Sequence, residues 1–268
     1  MRRHITGFSN PTVKYLRSLR DKKHRKQARQ FLVEGLRLLE DARSSGRLPR
    51  VLVMAESRTP HDLLDRLEAD VLAAGGEVII TTPDILSKIT GKDNAQSVAG
   101  VFDEWDTGLA ALDRSAAPIW LAAQALRDPG NLGTMLRTAD AVGAGGLILI
   151  DDCADPFSAE AVRASMGAVF TVGLVQARWE EFLPWLRSGA GQLVAASLRD
   201  AVAYRGADYR APCFILVGNE SQGLPEDYEA ACDLRVTMPM KGRADSLNAA
   251  VAGAVLAYEV LAGVDASA

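Results

Sequence analysis

The chain has 268 residues, enough for one large or two ordinary domains, and 48% of them are apolar, so a sizeable core can be buried. Charged residues make up 24% of the chain, as in ordinary soluble proteins. No apolar run reaches the ~18 residues of a membrane-spanning helix, and the basic N-terminus lacks the apolar segment of a secretory signal. We therefore expect no membrane partner.

The cysteines and histidines favour a reducing compartment and no metal site. The three cysteines are far apart in the sequence and form no Cys-x-x-Cys pair. This spacing argues against a disulfide framework or a zinc cluster and suits the cytoplasm. The three histidines are too scattered for a metal site, and we expect ordinary surface or hydrogen-bonded side chains.

The formal net charge of −4 conceals a strongly basic N-terminal segment. Residues 1–30 contain ten Lys and Arg and one Asp, a net of +9, so the other 238 residues carry −13. A compact basic block on an acidic protein indicates a localised contact with a polyanion such as a nucleic acid, although a solvated helix face is the alternative. The candidate residues for this contact are Arg17, Arg20, Lys22, Lys23, Arg25 and Lys26.

The first part of the chain alternates predicted strands and helices. Asn10 precedes Pro11, which is typical of an N-cap before the first helical residue, and the basic residues extend that helix. Strands are predicted at 30–34, 50–55, 77–81 and 97–102, and helices at 35–45, 60–73 and 83–90. We assign residues 1–107 to a smaller α/β domain and the acidic, Ala-rich residues 108–116 to a linker.

The second part of the chain, residues 117–268, restarts the alternation. Strands are predicted at 118–123, 146–150, 170–175, 192–197, 213–218 and 234–238, and helices at 131–142, 158–167, 179–187, 225–231 and 247–263. The strand at 213–218 is as apolar as the centre of a parallel sheet. The alternation predicts a second α/β domain built on a parallel sheet.

Three segments follow predicted strands of this second domain, where ligands of parallel α/β folds bind. In the first segment, residues 126–146, Asn131 lies at a helix entry and Arg137 follows six residues later. Six residues do not share one helical face, but the chain still turns at Asn131, so both side chains could reach one pocket. Arg137 carries a bidentate fork suited to phosphate, although alone it could be a surface arginine.

The second segment, residues 214–227, runs from a buried strand into a glycine-containing loop. Gly218 and Gly223 let the backbone approach a ligand closely. Glu220 could accept a hydrogen bond from a hydroxyl or balance a cationic ligand. The alternative interpretation of the loop is a tight turn.

The third segment, residues 236–255, leads from a strand into the last helix. Ser246 is predicted to be the N-cap of that helix, which alone would explain it. Asn248, in the predicted first turn, is less well explained by capping.

An ordinary dinucleotide enzyme that acts on small molecules is one alternative. Such enzymes carry G-x-G-x-x-G between a strand and a helix. Here the glycine-rich residues 143–146 end a predicted helix and precede a strand, and no P-loop occurs. The missing fingerprint and the basic block argue against this class.

Together, the three segments resemble the SpoU (TrmH) family of RNA ribose methyltransferases, in the SPOUT superfamily. The family's patterns are N-x-G-x-x-x-R, G-N-E-x-x-G, and P-M followed by S-L-N. They correspond to residues 131–137, 218–223 and 239–248, and the family's segment between the first two motifs resembles residues 155–170. The catalytic resemblance covers residues 117–262. The front half resembles the family's RNA-binding domain, which is similar to a ribosomal protein.

The resemblance implies a C-terminal domain threaded as a trefoil knot, an exception among protein folds. The loops of the knot would hold S-adenosylmethionine in a bent shape. The implied cofactor-binding residues are Ala196, Ser197, Gly218, Met238 and Leu247. The resemblance also implies a homodimer with a site built from both subunits, and the Ala/Val face of the last helix would suit that interface.

The implied reaction is methyl transfer to a ribose 2′-hydroxyl of structured RNA, with ribosomal RNA preferred to transfer RNA. The implied catalytic residues are Asn131, Arg137, Glu220, Ser246 and Asn248. Arg137 would lie beside the reacting ribose. Arginine is a poor general base because it holds its proton tightly, so whether Arg137 is the base stays open. The alternative is an RNA-binding protein on an inactive scaffold, against which the intact residue set speaks.

Overall fold

The structure, a computed structural model, describes residues 1–93 and 95–265 and divides the chain into two compact units. Unit 1 comprises Met1–Trp105 together with Asp155–Phe170, and unit 2 comprises Asp106–Ala154 and the chain from Thr171 onward. The sequence predicted one continuous second domain over 117–268. The structure instead groups residues 155–170 with unit 1. In the described residues, no helix combines the length and apolar character needed to span a membrane.

The secondary structure alternates strands and helices in both units. The strands are β1 (Arg2–Ile5), β2 (Gln30–Glu34), β3 (Val51–Ala55), β4 (Glu77–Thr81), β5 (Val98–Asp103), β6 (Ile119–Gln124), β7 (Gly146–Ile150), β8 (Gly173–Ala177), β9 (Gln192–Ala196), β10 (Val202–Ala203), β11 (Cys213–Val217) and β12 (Leu234–Thr237). The helices are α1 (Pro11–Ser18), α2 (Lys22–Ala28), α3 (Leu36–Ser44), α4 (Asp62–Ala73), α5 (Pro83–Thr90), α6 (Pro129–Ala141), α7 (Ala159–Ala164), α8 (Trp179–Arg187), α9 (Glu226–Ala230) and α10 (Ala249–Asp265). Short 3₁₀ turns lie at Leu109–Ala111, Arg114–Ala116 and Ala168–Phe170.

Unit 1 is built on a sheet whose described strands follow the order β1-β4-β3-β5-β2. The strands β1, β4 and β3 are parallel, whereas β5 runs antiparallel to both β3 and β2. Apolar side chains of α1, α5 and the sheet, among them Leu16, Ile85 and Val53, form a buried core. Each of these two helices buries one apolar face in this core, which explains why their sequences are amphipathic.

The N-terminal segment differs from the prediction in two ways. The strand β1 was not predicted, since it is short, basic and buries only Ile5, and it forms by pairing with the edge of β4. The single basic helix is in fact two helices, because Asp21 accepts hydrogen bonds from the backbone of Lys23 and His24 and so caps a new helix, α2. The predicted N-cap at Asn10 is confirmed by its hydrogen bond from the Thr12 backbone, 2.9 Å long.

Arg25 is buried, unlike the other candidate RNA-binding residues. Its Nε and Nη2 atoms donate to Asp155 Oδ2 at 3.0 and 2.6 Å. Its Nη1 donates to the backbone carbonyls of Leu19 and Arg20. Arg25 therefore anchors the segment 155–170 to the rest of unit 1, and its guanidinium is not available for phosphate.

Unit 2 is built on a sheet whose described strands, in the order β10-β12-β9-β11-β6-β7-β8, are all parallel. On one face, α8 and α9 cover a core in which Phe182, Phe214 and Trp120 are buried and in ring contact. On the other face, α6 and α10 pack against each other and against β6 and β11. Because every strand runs the same way, the loops that follow them meet at one edge of the sheet.

Several predicted boundaries shift in the structure. The helix α7 ends at Ala164 rather than at 167, because Met166 and Gly167 adopt positive φ angles of 51° and 95°, which end a helix. The following strand begins at Gly173 rather than at 170. The two-residue edge strand β10 was not predicted, because two residues give no periodic signal.

We predict that Asp155→Ala destabilises unit 1 by about 3–5 kcal/mol, because it leaves the buried Arg25 guanidinium without its carboxylate. The measurement is chemical denaturation of the full chain, followed by fluorescence. The control is Asp208→Ala, which removes an ion pair with Arg210. The Asp208 side chain is 87% exposed, so its loss should change the unfolding midpoint little. Equal midpoints for the two variants would contradict the structural role of Arg25.

Candidate active site

A cavity of about 370 Å³ opens at the edge of the sheet where the strands of unit 2 end. Its walls come from the loops that follow β9, β11 and β12 and from the start of α10. The volume falls in the range of small-molecule and cofactor sites. The five residues predicted to bind the cofactor all line it: Ala196, Ser197, Gly218, Met238 and Leu247.

The charged groups around this cavity suit a cationic ligand. Carboxylates of Glu220, Glu229 and Asp245 line the cavity, against the single guanidinium of Arg199 in the same lining. S-adenosylmethionine carries a sulfonium and an ammonium against one carboxylate. The size and the charge of the cavity therefore fit this cofactor.

A chain of side-chain hydrogen bonds joins the three predicted motifs. Asn248 Nδ2 donates to Asn131 Oδ1 at 2.9 Å, and Asn131 Nδ2 donates to Glu220 Oε1 at 3.0 Å. These residues lie 117 and 89 positions apart in the sequence. The structure thus brings together three of the five predicted catalytic residues, with Asn131 at the centre.

The groups at the two ends of this chain fix the direction of its hydrogen bonds. At one end, Asn248 Oδ1 accepts from the backbone N–H groups of Ala250 and Val251, so its amide nitrogen must donate to Asn131. At the other end, the Glu220 carboxylate can only accept. Asn131 therefore accepts on one side and donates on the other, which holds its amide in one orientation.

Capping of α10 belongs to Asn248, so the prediction that Ser246 caps this helix is wrong. The helix begins two residues later than predicted, at Ala249, and Asn248 accepts the orphan N–H groups of its first turn. Ser246 lies on the approach to the helix, exposed, and lines the cavity. The start of α6 shifts in the other direction, to Pro129 rather than residue 131. Asp128 is its N-cap and accepts from the Asn131 backbone N–H at 2.6 Å.

The loop after β11 is held by Asn219, whose role the sequence reasoning did not specify. Asn219 Nδ2 donates to the Ala125 carbonyl at 2.8 Å, which ties this loop to the end of β6. Its Oδ1 accepts from Ser221 and Gln222. Gly218 is needed for the same packing, because a Cβ there would come within 2.4 Å of the Gly223 backbone. A side chain at 218 would thus distort the loop itself, and not only block the approach of a cofactor.

Arg137 lies apart from the other predicted catalytic residues within one chain. It is exposed on α6, about 9 Å along the helix axis from Asn131 and on a different face. It makes no hydrogen bond or ion pair with the described residues, and it does not line the cavity. The expectation that a turn at Asn131 brings both side chains to one pocket is not met, because α6 is already helical at Pro129.

A second cavity, of about 290 Å³, lies within unit 1 and offers no comparable chemistry. The guanidinium of Arg47 stacks over the Trp105 ring at 4.1 Å, and Arg50 pairs with Asp103 at 2.6 Å. The polar groups at this cavity are thus paired with one another. Across the described residues, no group of three His, Cys, Asp or Glu side chains could hold a metal ion.

Comparisons with known proteins identify the class to which this fold and cavity belong. Residues 118–258 match the model of the SpoU rRNA Methylase family, and residues 10–100 match the MRM3-like substrate binding domain. The chain therefore belongs to the SpoU rRNA methylase family. It is an RNA 2′-O-methyltransferase, and its cofactor is S-adenosylmethionine.

Individual relatives cover nearly the whole chain. It is 31% identical to the 23S rRNA (guanosine(2553)-2′-O)-methyltransferase RlmP of Bacillus subtilis, over 96% of this chain and 99% of that protein. It is 30% identical to the 23S rRNA (uridine(2479)-2′-O)-methyltransferase of Streptomyces viridochromogenes, over 97% and 92%. The crystal structure of an AdoMet-bound rRNA methyltransferase from Sinorhizobium meliloti is 38% identical and superposes with a TM-score of 0.92, over 98% of both chains.

We predict that Asn248→Asp separates the two roles of this residue. Asp is as good an N-cap as Asn, so the thermal stability should be kept. The donor to Asn131 is lost, so we expect methyl transfer to fall by about 100-fold, since a small misplacement in a site has that cost.

The matched variant is Asn248→Ala, which loses the cap and the donor and should lower both stability, by about 1 kcal/mol, and activity. Stability is read by thermal unfolding and activity by transfer of a tritiated methyl group to RNA. Wild-type activity in Asn248→Asp would contradict the hydrogen-bonded chain as a part of the site.

Proposed function

We propose that this chain methylates a ribose 2′-hydroxyl of ribosomal RNA, and that the Asn248–Asn131–Glu220 chain is the frame of the reacting centre. The observation that carries the proposal is the meeting of these three side chains beside a cavity that suits S-adenosylmethionine. Two relatives, both 23S rRNA 2′-O-methyltransferases, favour ribosomal over transfer RNA as the substrate.

When bound, S-adenosylmethionine supplies an activated methyl group. The side chains then have to hold a 2′-oxygen in line with that group, and such alignment can contribute up to ~7–11 kcal/mol in ideal cases. The Glu220 carboxylate retains Oε2 as an acceptor, because Asn131 occupies only Oε1. We assign to Glu220 and Asn131 the orientation of the ribose, and to Ser246 the shape of the cavity mouth.

We propose that Arg137 acts at the site of a second copy of the chain. Arg137 is exposed and lies off the site of its own chain, whereas a bidentate guanidinium is suited to the phosphate beside the reacting ribose. The exposed residues Val251 and Tyr258, seven positions apart on one face of α10, give an apolar surface for a helix–helix contact. A symmetric dimer through this face would bring Arg137 of one copy to the site of the other.

We also propose that unit 2 is knotted and that the protein is cytoplasmic. Membership of the SpoU family supports the knot. The location is supported by three free cysteines, whose thiols are kept neutral by burial, which raises the pKa of Cys153 to about 11 and those of Cys213 and Cys232 to about 12.

The RNA-binding surface that we propose is the basic face of α1 and α2 without Arg25. Arg17, Arg20, Lys22, Lys23 and Lys26 are all exposed. Among the described residues, none of them forms an ion pair with a carboxylate. Unpaired exposed cations can exchange their counterions for phosphates, which favours binding to a polyanion.

The function is tested by mapping ribose methylation in ribosomal RNA from cells with and without this protein. We expect one or more 2′-O-methyl marks of ribosomal RNA to disappear, and to return when that RNA is incubated with the protein and S-adenosylmethionine. Loss of marks from transfer RNA alone would contradict the target, and no lost ribose mark would contradict the activity.

The RNA surface is tested by the salt dependence of RNA affinity. Lys22→Gln and Lys26→Gln should each lower the slope of log affinity against log salt by about 0.7–0.9, because each removes one phosphate contact. The control is Arg66→Gln, an exposed cation on α4 of the same unit. If all three variants have the wild-type slope, RNA does not bind through α2.

The shared site is tested by mixing two inactive variants, Arg137→Ala and Glu220→Ala. If Arg137 acts across the dimer, mixed dimers contain one intact site, and random exchange restores about a quarter of the wild-type methyl transfer. If Arg137 acts in its own chain, the mixture stays inactive. Arg137→Ala alone should bind S-adenosylmethionine nearly as tightly as the wild type, because Arg137 does not line the cavity and an interaction made in the transition state affects turnover rather than binding.

A further inference from the structure

Glu229 is a buried carboxylate in the wall of the cofactor cavity, and no predicted motif contains it. It lies in the short helix α9, which follows the Gly218–Leu224 loop, and its side chain is 7% exposed. Its Oε1 accepts a hydrogen bond of 2.7 Å from Ser197 Oγ, which also lines the cavity. Its Oε2 accepts no hydrogen bond from the described residues, although the exposed Arg199 guanidinium lies 3.4 Å away.

The Arg199 guanidinium offsets the charge of Glu229 but donates no hydrogen bond to Oε2, so this buried oxygen keeps an acceptor site without a donor, which is costly and needs an explanation. The core of unit 2 does not require it, because α9 packs through Tyr228 and its neighbours on the aromatic cluster of α8. The cavity that Glu229 lines, however, is where a ligand with hydrogen-bond donors binds.

The position of Glu229 in the fold selects which part of S-adenosylmethionine it faces. The reacting centre lies at the ends of β6 and β11, where Asn131 and Glu220 meet. Ser197 follows β9, on the other side of β11 from β6, so the Ser197–Glu229 pair lies about two strand spacings, ~10 Å, from the Asn131 side. The sulfonium and its methyl group must face the reacting centre. The pair therefore faces the adenosine part.

Within the adenosine part, the hydrogen-bonding groups of the Ser197–Glu229 pair match the ribose rather than the adenine. The Ser197 hydroxyl donates to Glu229 and its Oγ accepts from the Arg199 backbone N–H at 3.0 Å, which leaves one acceptor site on Oγ beside Oε2 of the carboxylate. Adenine needs donors as well as acceptors along its edge, whereas the ribose diol offers two donors on adjacent carbons. A carboxylate that accepts from a ribose hydroxyl is also the means by which dinucleotide-binding folds recognise that sugar.

We propose that the Ser197–Glu229 pair binds the ribose hydroxyls of the cofactor and makes this site selective for ribonucleoside over deoxyribonucleoside ligands. The inference rests on the cofactor assigned above. Glu229 is in this account a specificity-determining residue and takes no part in methyl transfer.

The test is calorimetry of the full chain with S-adenosylhomocysteine, which lacks the reactive methyl group and reports binding alone. Glu229→Gln should weaken binding about ten- to a hundredfold, as expected for loss of a hydrogen bond to a charged acceptor. Glu226→Gln removes the same charge from an exposed position of α9 and should bind as the wild type does. If the Gln variant does not fold, Glu229→Asp replaces it in the test. Asp keeps the negative charge, but its shorter side chain moves the carboxylate oxygens away from the ligand.

Analogues identify the ligand group. The 2′-deoxy and 3′-deoxy forms of S-adenosylhomocysteine should bind the wild type more weakly than the parent does, and this difference should vanish in Glu229→Gln. S-inosylhomocysteine, which lacks the adenine amine, should lose the same affinity in both proteins.

Three results would overturn the inference. The first is that the wild type binds S-adenosylhomocysteine and both deoxy analogues equally well. The second is that Glu229→Gln binds S-adenosylhomocysteine with wild-type affinity. The third is that the effect of Glu229→Gln depends on the adenine amine, tested with the inosine analogue, and not on the ribose hydroxyls. Failure of the wild type to bind S-adenosylhomocysteine at all would instead contradict the assigned cofactor.

Discussion

The proposed active centre of unit 2 depends on the two hydrogen bonds made by the Asn131 side chain. Three loops that are far apart in sequence meet there only because the strands before them are parallel and β6 lies beside β11 in the sheet. The sheet brings the loops to one edge, but it does not fix their mutual positions to within a hydrogen bond. Asn131 does so, because its amide must accept from Asn248 and donate to Glu220.

This arrangement couples the stability of the fold to the geometry of the site. Asn248 uses one atom of its amide to cap α10 and the other to hold Asn131. The helix α10 packs on α6, which begins two residues before Asn131. A displacement of α10 would therefore also displace Asn131 and the proposed reacting centre. The loop after β11 is positioned in a comparable way, by the bond from Asn219 to Ala125 at the end of β6.

Much of the fold and part of the site could be predicted from the sequence. The strands of both units carry strong apolar runs, and the three motifs lie at strand ends, so the sheets and the place of the cavity could be predicted. The resemblance to the SpoU family added five residues that line this cavity. The strand β1 could not be predicted, since its order comes from pairing with β4 rather than from its own basic residues. The caps Asp21 and Asn248 could not be predicted, because several neighbouring residues in each segment can act as an N-cap and the sequence does not show which of them does.

Other properties depend on contacts that no local pattern contains. Arg25 looked the same as its basic neighbours until Asp155, 130 residues later, proved to be its partner. Glu229 lies in a helix of five residues, too short for a periodic pattern that would indicate its burial. Arg137 matches its motif in type and spacing, yet it lies outside the cavity of its own chain, and the proposed dimer would place it by contacts that one sequence does not contain.

The most direct measurement is a crystal structure of the protein with S-adenosylhomocysteine. We expect the ligand in the cavity of unit 2, with its sulfur on the Asn131–Glu220 side and its ribose on the Ser197 side. A ligand bound elsewhere, or one seated here with its sulfur on the Ser197 side, would contradict Asn131 and its hydrogen-bonded partners as the reacting centre.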